Sequence, residues 1–137
     1  MLPSLFVAAS AAILLVLGLA HLLFTFRGRK LHPRDPALKA RMQEVAPGLT
    51  RETTMWRCWI GFNASHSFGA LLFALVYGYL ALWHASFLFA SWFLLGTGLA
   101  LLAGYVVLGR LYWFSVPFRG IVAATGLYVL GLVVRFA

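Results

Sequence analysis

Four runs of about twenty apolar residues dominate this chain, each long enough to cross the roughly 30 Å hydrocarbon core of a bilayer as a helix. Backbone polar groups have no water partners there, so segments of this length must satisfy their own hydrogen bonds as helices. The pattern predicts spans over about residues 5–26, 55–83, 87–108 and 117–136. Composition agrees: 63% of residues are hydrophobic and 10% charged, against about 45–50% and about 25% in a soluble domain. The fold expected is an all-α membrane protein, one domain over residues 1–137, with four transmembrane helices in an antiparallel bundle.

Residues 1–26 carry no basic n-region, and their apolar run is of spanning length. The segment therefore reads as a retained first helix, not a removable signal peptide. Early in it, Ala8, Ala9, Ser10, Ala11 and Ala12 permit close packing, and Gly18, His21 and Thr25 share one face, expected to point inward.

Charge sets the orientation. Of the 11 Lys and Arg residues, seven (Arg27, Arg29, Lys30, Arg34, Lys39, Arg41, Arg51) lie in the loop 27–54, together with all three acids, Asp35, Glu44 and Glu52. Arg110 and Arg119 flank the second loop on that side, and only Arg135 marks the opposite one. The positive-inside rule makes both basic loops cytoplasmic and both termini external, in a bacterial inner membrane. Trp56, Trp59 and Trp113 then fall near the inner interface and Trp83 near the outer one. The formal charge of +8 sits beside hydrophobic spans, so anionic lipid headgroups are the expected partner and nucleic acid is not. Cys58, the single cysteine, excludes an intrachain disulfide and any Cys-rich metal site.

Within the loop, Asp35-Pro36 predicts a helix start, and a short helix over 37–46 places Leu38, Met42 and Val45 on one side, away from Lys39 and Arg41. Such a helix suits the headgroup boundary. Pro47-Gly48 closes it, and Thr50 is the expected cap of the next helix. The turn at His84-Ala85-Ser86 is short enough to make the second and third spans a hairpin. Gly109-Arg110 is expected to end the third span, and an aromatic connector, Leu111 to Arg119, to lead into a fourth opened by Pro117. Gly61, Ser65 and Gly69 on the second span, and Gly96, Ala100 and Gly104 on the third, form small-residue ridges at four-residue spacing that invite a neighbouring helix or a homo-oligomer. Gly98 and Ala103 add room for close approach.

Against this apolar background, the stretch from Thr54 to Leu71 stands out, with Arg57, Asn63, Ser65, His66 and Ser67 inside one hydrophobic helix. Polar groups in hydrocarbon are costly unless partnered, so these face protein, water or a ligand. Asn63 and His66 share a face, with Ser67 one turn on from Asn63. His66 lies about 15 Å and His21 about 8 Å from the inner ends of their spans at 1.5 Å per residue, so adjacent helices can bring them together.

Several readings stand for this set. Hydrogen bonds across helices would fix register. Alternatively a quinone, lipid or sterol-like compound would place its head on His66, Asn63 and Arg57 and its tail among Phe62, Phe68 and Phe73. Haem ligated by His21 and His66 is a third reading, made awkward by their difference in depth, and two histidines without a carboxylate or a partnering cysteine are a poor metal site. The spans hold no Asp or Glu for carboxylate-coupled transport, and no nucleophile–base–orienter set is visible.

The Gly-x-x-His-Leu of the first span (Gly18, His21, Leu22), the Gly-Phe-Asn-x-Ser-His-Ser-x-Gly run from Gly61 to Gly69, and the aromatic loop ending in Pro117 resemble small bacterial four-helix membrane proteins of unknown function. The resemblance implies a four-helix bundle and a functional interest in His21, Asn63 and His66, and brings no activity. The membrane glutathione-enzyme superfamily is similar in length and span count, but no glutamate follows Asn63 here and its pattern is not matched. The function expected is that of an accessory or structural subunit of a larger membrane complex; the alternative is a binding protein or enzyme for a lipophilic small molecule.

Overall fold

A computed structural model describes residues 1–137. It is all-helical: α1 (Leu2–Phe26), α2 (Pro36–Glu44), α3 (Met55–Trp83), α4 (Ala85–Ala90), α5 (Trp92–Tyr112) and α6 (Ser115–Phe136). Four of these, α1, α3, α5 and α6, are long and apolar enough to cross a membrane, which makes this a multi-pass membrane protein. The chain forms two compact units, one of Met1–Leu17 with Ala70–Ala137, the other of Gly18–Gly69.

The first unit holds the hydrophobic core. Phe73 and Tyr77 of α3 stack with centroids 4.5 Å apart, and Tyr77 meets Tyr128 of α6 edge-on at 5.9 Å. Both phenols are buried and need acceptors. Tyr77 donates to the Leu94 carbonyl at 2.6 Å and Tyr128 to the Leu95 carbonyl at 3.0 Å. They reach the α5 backbone because Gly98 leaves the space: a Cβ there would lie 2.5 Å from the Tyr128 hydroxyl. Elsewhere in the unit α6 meets α1 through glycines, Gly120 against Leu17 and Gly131 against Pro3 and Val7.

The third span departs from expectation at both ends. It begins as α4, breaks at Ser91, whose backbone is extended (φ −103°, ψ 98°), and restarts as α5 with the Ser91 hydroxyl accepting from the Leu94 N–H. It does not stop at Gly109-Arg110 but continues to Tyr112. Gly109 is there for packing, since a Cβ would meet Phe118 at 3.1 Å and Trp113 at 3.3 Å. The connector to α6 is correspondingly only Trp113-Phe114, and Pro117 falls in the first turn of α6, where its missing N–H costs nothing.

The second unit contains α2 and the basic loop. α1 ends where Gly28 takes the left-handed conformation at φ 83°. Asp35 caps α2 as expected, its carboxylate accepting the Ala37 N–H at 2.8 Å, but the helix ends at Glu44, two residues short of the expected Ala46. Thr50 is not the cap of α3. It closes a turn on Pro47 and accepts from the Glu52 N–H, while Thr54 caps α3 by accepting from the Arg57 N–H at 3.3 Å.

Candidate functional site

The polar groups of α1 and α3 within residues 18–69 meet around Asn63. One turn back on α3, the Trp59 carbonyl takes a hydrogen bond from Asn63 Nδ2 at 2.8 Å. A carbonyl only accepts, so the amide nitrogen must face it and Oδ1 must point away. That oxygen lies 2.9 Å from His21 Nε2 on α1. An amide oxygen cannot donate, so the proton between them belongs to His21: Nε2 carries it and donates, whatever the state of Nδ1. Local helix chemistry on α3 thus dictates which nitrogen of a histidine on another helix carries a proton.

The remaining hydroxyls serve the backbone. Thr25, buried on α1, donates to the His21 carbonyl at 2.8 Å, and Ser67, wholly buried on α3, donates to the Asn63 carbonyl at 3.0 Å. His66 completes the group, its ring edge-on to His21 with centroids 5.2 Å apart and planes at 82°. His21, Asn63 and His66 are each half-buried.

Of the residues singled out in the sequence, the structure brings together His21, Asn63, His66 and Ser67. Arg57 is exposed, and the hydrogen bond it makes uses its backbone N–H, at the helix cap. Ser65 is exposed and donates to the Phe62 carbonyl. Gly61 is exposed with open space at its Cβ position, and Gly69 is half-buried. Gly96, Ala100 and Gly104 are all exposed, and no atom lies within 4 Å of a Cβ built on either glycine. Trp59 has a role not read from the sequence: its carbonyl orients Asn63 and its indole N–H donates to the Leu31 carbonyl at 3.0 Å. The four-residue step from Trp59 to Asn63 was the available signal.

The chemistry open to this arrangement is narrow. Ser65 and Ser67 both commit their hydroxyl protons to carbonyls, so neither is paired with a histidine as nucleophile and base. The two imidazoles touch, which leaves no plane between them for a macrocycle, and His21 Nε2 is engaged with Asn63. Haem held between His21 and His66 does not fit. No three His, Cys, Asp or Glu side chains converge as metal ligands.

Outside the spans, His32 is held below the usual histidine range, by partial desolvation of its ring first and then by the charges of Lys39 and Arg29. Its Nδ1 lies 3.3 Å from the Lys39 ammonium, which donates to it.

The chain matches no protein-family model, no curated protein and no solved structure at a significant level.

Proposed function

We propose that this protein is an accessory subunit of a larger membrane assembly, docking through the Gly96–Ala100–Gly104 face of α5. In this reading the four spans form an antiparallel bundle in the bacterial cytoplasmic membrane, with the basic loop 27–54 inside and both termini outside. The observation that carries it is the division among the helix glycines. A glycine in a helix interior costs about 1 kcal/mol relative to alanine. At Gly98, Gly109, Gly120 and Gly131 a close contact within the chain accounts for that cost, whereas at Gly61, Gly96, Gly104 and Gly126 a side chain would meet nothing. Two such positions flanking Ala100 on one face make a groove that admits a second helix at close range. The His21–Asn63 bond then serves as a cross-link between α1 and α3 that fixes their register. Extraction in mild detergent followed by native mass spectrometry tests this: co-purification with another membrane protein in fixed ratio supports it, and a solitary chain refutes it.

A second reading has its own observation. His21, Asn63 and His66 are only half-buried, and Phe62 and Phe68 are exposed on the same helix. That combination suits the head and tail of an amphipathic molecule. In that case His66→Ala abolishes retention of a lipophilic ligand and leaves assembly intact.

A further inference from the structure

The segment after α1, α2 and Trp59 of α3 enclose two adjoining depressions, both within residues 18–69. One, of about 610 Å³, is lined by Arg29, Arg34, Lys39 and Gln43. The other, of about 460 Å³, is lined by Leu31, Leu38, Met42 and Trp59, with Lys30 at its edge. His32 and Pro33 border both and form the ridge between them. On α2, Leu38 faces one depression and its neighbour Lys39 the other, because successive helix positions diverge by about 100°.

The charges in the larger depression are uncompensated. Two of the three acids of the chain are otherwise engaged: Asp35 caps α2 and Glu44 pairs with Arg41 at 3.2 Å. Arg29, Arg34 and Lys39 pair with no carboxylate. Three like charges around one hollow repel one another unless an anion enters. The hollow is also built. Lys39 is fixed by His32 at 3.3 Å and lies 5.0 Å above the Trp56 ring, and His32 stands edge-on to Trp56 at 4.9 Å. Its neighbour is apolar, and it adjoins the end of a membrane span, where the Lys30 ammonium sits 3.9 Å over the Phe24 ring. Anionic head, apolar tail and interfacial position are the attributes of one class of molecule.

We infer that the paired depressions bind one anionic membrane phospholipid, its phosphate on Arg29, Arg34 and Lys39 and one acyl chain against Leu31, Leu38, Met42 and Trp59. Guanidinium groups engage phosphate through two parallel hydrogen bonds, and an ammonium adds a point charge. This site is independent of the α5 face and stands or falls separately from it.

Native mass spectrometry of the full chain in detergent, titrated with phosphatidylglycerol and with phosphatidylcholine, tests the assignment. One phosphatidylglycerol per chain should be retained in preference to phosphatidylcholine. With each basic residue worth about fivefold in affinity at an anionic lipid, Arg34→Gln with Lys39→Gln should weaken retention by roughly 25-fold. Arg110→Gln with Arg119→Gln removes the same charge elsewhere and should change it less than about twofold. Arg29→Gln alone, at about fivefold, provides an independent variant should the double one fail to show the parent helical circular dichroism. Met42→Asn, which makes the acyl-chain wall polar without adding charge, should weaken retention of phosphatidylglycerol. Equal loss in the two double variants would mean diffuse attraction and overturn the proposal. Displacement of the lipid by glycerol 3-phosphate at equal concentration would mean a soluble phosphate site and overturn it as well.

Discussion

His21 and Asn63, 42 positions apart in the chain, are joined by a 2.9 Å hydrogen bond in which the histidine Nε2–H donates to the amide oxygen. The direction follows from Trp59, whose carbonyl holds the other end of the amide. Removing the acceptor should therefore act on the histidine as well as on stability. Asn63→Leu is expected to destabilise the protein by about 0.6 kcal/mol and at most about 1.7 kcal/mol, the range for polar contacts between membrane helices. Nitrogen-15 shifts of His21 should report the Nε2–H form in the parent and a mixture of tautomers in the variant. An unchanged tautomer in Asn63→Leu would show that another group sets it.

Gly98 sits beneath two phenols, and a Cβ there would come within 2.5 Å of the Tyr128 hydroxyl and 2.7 Å of the Tyr77 ring. Gly98→Ala should cost about 1–3 kcal/mol through overpacking. Tyr128→Phe, which removes only the bond to the Leu95 carbonyl, should cost about 1 kcal/mol. In the double variant Gly98→Ala with Tyr128→Phe the losses should fall short of their sum, because the methyl then occupies space the hydroxyl has vacated. Steric-trap or detergent-denaturation measurements give these three values. Full additivity would place the strain elsewhere.

These two relationships show what was legible in the sequence. The spans followed from the length of the apolar runs, and the α2 start followed from Asp35-Pro36, since one carboxylate and one imino acid suffice to set it. That adjacent helices could bring His21 within reach of His66 was readable from their depths in the spans; that the two rings meet, and that Asn63 bonds His21, was not. Glycines were harder. Gly109 looks like a helix stop, but its role is to admit Phe118, and nothing local distinguishes a terminating glycine from a packing one. Likewise the α5 glycine that packs within the chain is Gly98, whereas the more regular series Gly96–Ala100–Gly104 faces outward. The Ser91 break was obscured by the apolar residues on both sides. The bonds of Tyr77 and Tyr128 to carbonyls in α5 depend on tertiary placement and have no counterpart in periodicity.

His32 provides a pH test in the basic loop. The unfolded chain takes up its imidazole proton near the ordinary value of 6.5, and the folded loop only below that. Between the two the unfolded state binds more protons, so this group makes the loop less stable as pH falls below about 6.5, and the loss levels off once the folded ring is also protonated. The groups facing it are Lys39 and Arg29. Proton NMR titration of His32 should show a midpoint below 6.5 that moves upward in Lys39→Gln. A midpoint indifferent to Lys39 would contradict the 3.3 Å contact.

The outward face of α5 bears most of the functional reading. Because a side chain at Gly96 or Gly104 would meet nothing in the chain, Gly96→Leu and Gly104→Leu should leave the protein as stable as the parent or more so by up to about 1 kcal/mol, the cost of a glycine in a helix interior. The most direct test places a photo-cross-linking amino acid at Ala100 in native membranes, with Val129, exposed on α6, as the control position. A discrete protein adduct from Ala100 that is absent from Val129 and lost in Gly96→Leu is the predicted result. Lipid adducts alone from Ala100, or the same protein adduct in Gly96→Leu, would contradict docking through this face.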